Sequence, residues 1–529
     1  CLRKTSLLLA ISAAMGIAGA AQAATAGGRM AMVAHATALG RGDAVHGALA
    51  LSQPIHVSVV LNLRNAAQLK AWNAQPHKPM SAARLAADHL PTQAQAQAVA
   101  DFLKASGFQD VKVSANRMIV SATGTAASAA RAFDTSFAQV HTHDGRTAFA
   151  NTSDAHVPAQ LQGIVRSVLG LQTVHKAQYY AQRAAATGGI GGHDPVEFAS
   201  IYGASGMNTA DTVDVAVWGW GAMDQTVTDL GTFTSNNGLA AVNTNVVCTD
   251  VGSSIDFGTG GVVGGGTTTI GDATCQNSDQ GSVEWDMDSQ TIVGMTGGVR
   301  SLTFFAAPGG YNSWVTDTLN EIVTPTQGEP LASVINASFG ECERFEDANQ
   351  GGDGSAQADD ELFQIGQAQG QTFSVSTGDH GSDECGDGGL DSASYPASSP
   401  YVVAVAGTTL NASPTTYSRE TEWISSGGSP SSFESAPSWQ TGLTYGTYAG
   451  SRGPDVAFDA NPSTGAIYYN YGELIQVGGT SLSAPICTGA WARLIANGAS
   501  DLYTSACQQL YEWPASAFHD INGGNNHGY

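Results

Sequence analysis

Gly478-Gly-Thr-Ser481-Leu-Ser-Ala-Pro485 opens an apolar stretch, ICTGAWARLIA. Its glycines permit a tight turn and a proline is tolerated near a helix start, so Ser481 is expected at a helix N-terminus. Unpaired N–H groups and the positive dipole end at such a place can stabilise an oxyanion. The same pattern also describes a helix that serine merely caps. A serine becomes a nucleophile only beside a base, and two bases are on offer. In Gly281-Ser-Val-Glu284-Trp-Asp-Met-Asp288, helical spacing sets Glu284 and Asp288 on one face and turns Asp286 away. Like charges at that spacing destabilise a helix unless they share a proton; sharing one, they make Glu284 a base oriented by Asp288. Unshared, they are two solvated acids. The other candidate is His380, in Ser374-Val-Ser-Thr-Gly-Asp379-His-Gly. Asp379 follows a buried-strand run through a glycine, where active sites gather. Protonated, it can donate to a developing oxyanion; ionised, it repels one; it is equally an ordinary turn former.

The elements that must hold these groups follow from the hydrophobic rhythm. Apolar runs at Val213–Val217, Leu302–Ala306, Ala332–Ile335, Phe373–Ser376 and Tyr401–Val405 read as buried strands between helical stretches. That is the pattern of βαβ units in a parallel sheet. The earlier part differs. Ile55–Leu63 reads as a strand, Thr92–Gly107 as a helix ended by glycine, and residues 111–113 with 118–120 as a hairpin. Ala126–Phe137 reads as a second helix, before a turn at His143-Asp-Gly145. This is an α+β unit over 24–180. Residues 181–192, AQRAAATGGIGG, are small and Gly-rich, and are expected to be an exposed, cleavable linker to a domain spanning 193–529.

Composition excludes several classes. The 529 residues are 42% hydrophobic, enough for more than one core, and the 12% charged content excludes a coiled coil or a charged disordered chain. A net charge of −24 argues against a nucleic-acid partner. That charge is unevenly spread: +9 up to Arg183, with nine of the 13 histidines, and −33 after it. The basic unit is expected to dock on the acidic one near neutrality and to loosen in acid, as carboxylates neutralise and histidines charge. Arg3-Lys4, the apolar run Leu7–Ala21 and Ala21-Gln-Ala23 read as a signal peptide over 1–23, hence a secreted protein. No later apolar run is long enough to cross a membrane. Cys1 in place of Met suggests a fragment. The other six cysteines lie in the acidic part, and sequence neighbours would pair as Cys248–Cys275, Cys342–Cys385 and Cys487–Cys507.

Together these segments resemble the sedolisin family, the serine-carboxyl peptidases, over nearly the whole chain after the signal peptide. G-T-S-x-x-A-P is the nucleophile segment of subtilisin-like folds. In the subtilisin pattern, however, an Asp ends the first strand, whereas Val213–Val217 runs into Trp218-Gly-Trp-Gly221. Further family-like stretches are Ser394-Tyr-Pro-Ala-Ser-Ser-Pro-Tyr-Val, Ala406-Gly-Thr-Thr, Gly453-Pro-Asp-Val-Ala and Asp459-Ala-Asn-Pro-Ser-Thr-Gly465. His193-Asp-Pro-Val-Glu-Phe-Ala-Ser-Ile-Tyr-Gly203 looks like the opening of the mature enzyme. The resemblance implies an α/β, subtilisin-like parallel sheet flanked by helices, preceded by an α+β, ferredoxin-like activation domain. It matches Glu284, Asp288 and Ser481 to a catalytic triad and Asp379 to an oxyanion residue. It also implies one structural Ca²⁺, with Asp520 as side-chain and Ile521 as carbonyl ligand; the family's remaining ligands fall beyond Tyr529, so the set is expected to be incomplete. The expected protein is a monomeric zymogen whose partners are protein or peptide substrates and its own activation domain, with no nucleic acid and no membrane. A carboxylate base predicts activity in acid.

Overall fold

The computed structural model describes residues 30–75, 77–185, 191–221, 223, 225–249, 254–255, 262–263, 281–388, 392–441, 452–498 and 506–526. Residues 1–29, which include the expected signal peptide, lie outside these, as does Cys275 of the expected Cys248–Cys275 pair.

The N-terminal unit is built on a four-stranded antiparallel sheet. Its strands are β1 (Pro54–Leu61), β2 (Gln109–Val113), β3 (Ile119–Thr125) and β4 (Val165–Leu169), in the order β2-β3-β1-β4. Helix α1 (Gln93–Ala105) begins in a capping box: the Gln95 amide donates to the Thr92 hydroxyl and the Thr92 amide donates to the Gln95 side chain. It ends before Gly107, which takes φ 91°. The second helix, α2, is shorter than the sequence predicts, Ala126–Ala132, and Phe137 opens a strand paired with Thr147–Asn151. The run of small and apolar residues there fits either period; pairing across the Asp144-Gly145 turn decides it.

Two short strands lead out of this unit. β5 (Gln178–Tyr179) pairs antiparallel with Phe339–Gly340, and β6 (Gln182–Arg183) pairs antiparallel with Val477–Gly478. The expected free linker therefore starts as bound strand. Ala181 and Gln182 are half-buried, and residues 186–190 lie outside the description.

The larger domain carries an eight-stranded, mostly parallel sheet. Its central strands are β7 (Ala210–Trp220), flanked by β8 (Val299–Ala307) and β9 (Val334–Ala337), then β10 (Thr372–Ser376) and β11 (Val403–Ser413). The strand predicted at 332–335 lies two residues later, at Val334–Ala337, and that predicted at 401–405 begins at Val403 and runs on to Ser413. Chains of Val, Ile, Phe and Trp on both faces explain the near-continuous apolar runs. The N-terminal unit packs on helix Ser355–Ala368 by apolar contact, with Leu69 fully buried, and by a hydrogen bond from the Leu63 amide to Glu361, 2.7 Å; Ser58 donates to Asp317 on helix Asn312–Val323 at 2.7 Å.

Two helices cross at the sheet's heart. In chain order they are α3 (Ser282–Thr296), buried along its length except at the half-buried Val283, and α4 (Thr480–Ala496). They meet at Gly489, where a Cβ would lie 2.6 Å from Met295 Cβ. Cys342 and Cys385 form the expected disulfide. The expected Cys487–Cys507 bond is absent: both are free, buried thiols, and Cys507 Sγ instead donates to the Val402 carbonyl at 2.9 Å.

Because Gly489 lets α4 approach α3, Gly489→Leu is expected to lower stability by about 1–3 kcal/mol and to reduce turnover by moving Ser481 relative to α3. Chemical unfolding in a Ser481→Ala background measures the first; an unchanged midpoint contradicts it.

Candidate active site

Ser481 is the second residue of α4 and is fully buried. Gly479, just before the helix, takes φ 104° and lies against the Tyr180 carbonyl, where a Cβ would sit 1.8 Å from that oxygen. No side chain fits. Pro485 has no N–H to donate to the Ser481 carbonyl, its acceptor one helical turn back. The Ser338 hydroxyl lies 3.2 Å from that carbonyl and takes the place of the missing donor. The Ser481 hydroxyl donates to the Ser338 carbonyl at 3.0 Å and accepts from the Tyr180 amide at 3.1 Å.

Glu284 and Asp288 stack one turn apart on α3, 2% and 1% exposed, so they are not solvated surface acids. Burial, and then the charge of Asp288, pushes Glu284 well above the usual carboxylate range. Burial does the same to Asp288. The Ser481 hydroxyl and the Ala181 amide both lie near enough to Glu284 to pull the other way, although neither closes a full hydrogen bond with it. Asp288 meets Ser338 Oγ at 2.8 Å, and Asn336 Nδ2 donates to the same hydroxyl at 2.9 Å. Ser338 has one proton to give. Protonated Asp288 can donate to Ser338, leaving that proton for the Ser481 carbonyl, and every group is then satisfied. Asp286 points elsewhere, as its helical position predicts: it is buried and accepts from Asn470 Nδ2 at 2.8 Å.

Asp379 follows β10 and turns to the entry of α4. Its Oδ1 accepts from the Thr480 amide, 2.8 Å, and the Thr480 hydroxyl, 2.9 Å; its Oδ2 accepts from Gln182 Nε2, 3.0 Å. Burial lifts its pKa to about 8, against the two Thr480 hydrogen bonds. His380 sits beside it but faces Glu384, with Nδ1 3.3 Å from that carboxylate, which raises the histidine's pKa. Among the described residues the Ser481 hydroxyl has no bond to a ring nitrogen. The structure thus brings together Ser481, Glu284, Asp288 and Asp379 and leaves His380 out. Sequence reading missed Asn336 and Ser338, at and just beyond the C-terminal end of β9. Their one signal is that position, since ligand-facing groups in parallel sheets gather beyond strand C-termini.

Asp520 and Ile521 lie near the end of the described chain. The Asp520 side chain is exposed and accepts from Asn522 Nδ2 at 3.4 Å. A Ca²⁺ ion takes six to eight oxygens, and no cluster of three or more acidic, His or Cys side chains stands among the described residues.

Two family models match the chain: the pro-kumamolisin activation domain over residues 42–174 and the subtilase family over 261–527. Sedolisin of Pseudomonas sp. (strain 101) is 40% identical over 514 residues, spanning 90% of this chain and 83% of that protein. The chain belongs to the sedolisin family. It is a serine-type endopeptidase, a serine-carboxyl peptidase made with an activation domain. Xanthomonalisin of Xanthomonas sp. (strain T-22) is 36% identical over 556 residues, 91% of this chain and 63% of that one. The solved Pseudomonas sedolisin, complexed with two molecules of pseudo-iodotyrostatin, superposes with a TM-score of 0.54 at 40% identity, covering 64% of this chain and 90% of that one. The α/β sheet presents Ser481 at a helix entry.

Carboxyls raised on folding bind protons more tightly in the folded than in the unfolded chain. Their stabilising contribution is complete below the ordinary value, 3.8 for Asp379, and is lost as pH rises through the folded one, about 8. The Ser481→Ala precursor is expected to melt at falling temperature from about pH 5 to 8, and Glu284→Gln in that background to flatten the slope. A melting temperature that climbs over this interval contradicts the reading.

Proposed function

We propose that this protein is a secreted, acid-acting endopeptidase in which Ser481 forms an acyl-enzyme, the Glu284/Asp288 pair is its base, and Asp379 donates in the oxyanion hole. One observation carries the proposal: the four side chains are buried around the entry of α4, and His380, beside Asp379 in sequence, is paired with Glu384. Glu284 takes the Ser481 proton as the hydroxyl attacks the substrate carbonyl, and returns it to the leaving amine; water then attacks the ester by the same route. The charge of Asp288 raises the proton affinity of Glu284, and through Ser338 Asp288 steadies the backbone at Ser481. A neutral Asp379 can donate to the tetrahedral oxygen, while an ionised one opposes it. The acid preference follows from two groups at once. Glu284 is a carboxylate base, and Asp379 must keep its proton.

Export is supported by the charged, apolar and Ala-Gln-Ala segments at the N-terminus and by the Cys342–Cys385 disulfide, since such bonds persist in oxidising compartments. Substrates are proteins or peptides, and the activation domain is the enzyme's own partner; no helix among the described residues is long and apolar enough to cross a membrane.

Digestion of a denatured protein by the matured enzyme tests the roles. Ser481→Ala and Glu284→Gln are expected to lower kcat by about 10³-fold or more, and Asp379→Ala by about 10²–10³. His380→Ala should change it less than about tenfold, since it touches no reacting group. A pH profile peaking at about 7 or above, or loss of turnover on removing His380 but not Glu284, contradicts the proposal.

A further inference from the structure

The stretch 177–184 lies through the active cleft as an extended peptide. Ala177 donates its amide to the Gly310 carbonyl at 2.8 Å, β5 pairs with Phe339–Gly340, β6 pairs with Val477–Gly478, and the Ala184 amide donates to the Gln476 carbonyl at 3.0 Å. Main-chain pairing on both sides is how a protease groove holds a substrate strand. Between the two pairings stand Tyr180 and Ala181, the only residues of 178–183 outside a strand.

Everything reactive converges on that junction. The Tyr180 amide donates to the Ser481 hydroxyl, and the Tyr180 carbonyl packs on Gly479, on the side where Asp379 Oδ2 also lies. The Ala181 amide is near enough to Glu284 to act on its carboxyl, as is the Ser481 hydroxyl. Glu284 therefore faces both the proton it would remove and the nitrogen to which it would return it. The Tyr180 side chain fills a closed pocket, with its hydroxyl 2.7 Å from Ser394 Oγ and a floor formed by Gly340, where a Cβ would lie 2.9 Å from the phenol oxygen. Tyr180 is 2% exposed. On the far side, Gln182 Nε2 holds Asp379.

We propose that Tyr180–Ala181 is the bond the enzyme cuts first, in its own chain, with Tyr180 seated as the residue on the acyl side. The inference rests on the roles given above to Ser481 and Glu284. Ser481 Oγ bonds to the Tyr180 carbonyl carbon, the bond to the Ala181 nitrogen breaks, and the hydroxyl proton reaches that nitrogen through Glu284. Water then hydrolyses the ester, leaving a carboxyl on Tyr180 and an amine on Ala181. The cut falls at the very start of the 181–192 segment; later trimming within the segment would shorten the new N-terminus without altering the released piece.

The test follows the purified full-length precursor after a shift to about pH 4, with intact masses read from the earliest times. The first released N-terminal fragment is expected to end at Tyr180, at a rate independent of protein concentration. Ala181→Pro, which removes the leaving N–H, should abolish this cut. Tyr180→Gly, which empties the pocket, should slow it at least about tenfold, and Tyr180→Phe should keep it at the same bond. A first fragment ending elsewhere, or an unchanged maturation rate in both Ala181→Pro and Tyr180→Gly, overturns the proposal. Digestion of a denatured protein in parallel separates the two failures. A preparation that digests protein but cuts itself first at another bond sinks only this inference, while one that does neither sinks the catalytic roles as well.

Discussion

Two carboxyls buried one helical turn apart, with no cation among the described residues bonded to either, are the constraint around which this molecule is organised. Taking one such charge out of water is already costly, and a second beside it raises both pKa values further. The pair is tolerable only when it holds a proton and when its other lone pairs find donors. The groups placed around the pair are neutral: Ser338 and Asn336 at Asp288, and the Ser481 hydroxyl and Ala181 amide turned toward Glu284. An arginine there would satisfy the charge more simply, but it would also pull the pKa values down and leave Glu284 a weak base.

That choice dictates the surrounding backbone. A helix carrying buried acids cannot show a face to water, so α3 is enclosed by α4, by the central sheet and by residues 195–201. Close enclosure demands small residues at the crossings, Gly489 against Met295 and Gly294 against Pro195. The serine must arrive at the same place on a helix whose first carbonyls are not consumed internally. Pro485 frees the Ser481 carbonyl, and Ser338 then links that carbonyl to Asp288, so nucleophile and acid pair share one hydroxyl. Position and protonation are thus set by the same few bonds.

Much of this was legible beforehand because it depended on local pattern. Helical spacing placed Glu284 with Asp288 and set Asp286 apart, and the Gly-Thr-Ser turn put Ser481 at a helix entry. Apolar runs alternating with helical stretches announced the parallel sheet but not its bounds: the strand begun at Val403 continues to Ser413, past the apolar run, because it pairs there with Thr416–Glu422. What escaped depends on contacts distant in sequence. Ser338 lies 143 residues from Ser481 and Tyr180 lies 301 from it, and nothing in the spacing of small polar residues indicates that they meet. The segment 181–192 was read as a loop because its composition lacks a period. Its first residues nevertheless become strand by borrowing hydrogen bonds from Val477 and Gly478, a gain no local reading contains.

The charge asymmetry shows where counting residues misleads. Opposite net charges of the two units suggested a dock that acid would loosen. Most of the described contacts are of another kind: apolar packing around Leu69, the neutral pair Asn116–Asn320, and hydrogen bonds from Ser58 and the Leu63 amide to Asp317 and Glu361, beside one ion pair, Arg166 to Glu361 at 3.7 Å. Burial lifts both acids to about 7. A carboxyl raised by docking takes up a proton on docking, so its contribution is whole below its ordinary value and fades as pH climbs through the docked one. At these two positions acid strengthens the dock. Acidification does not loosen the contact at Asp317 and Glu361. Its leverage lies inside the cleft, where a neutral Asp379 favours attack on whatever peptide occupies the site.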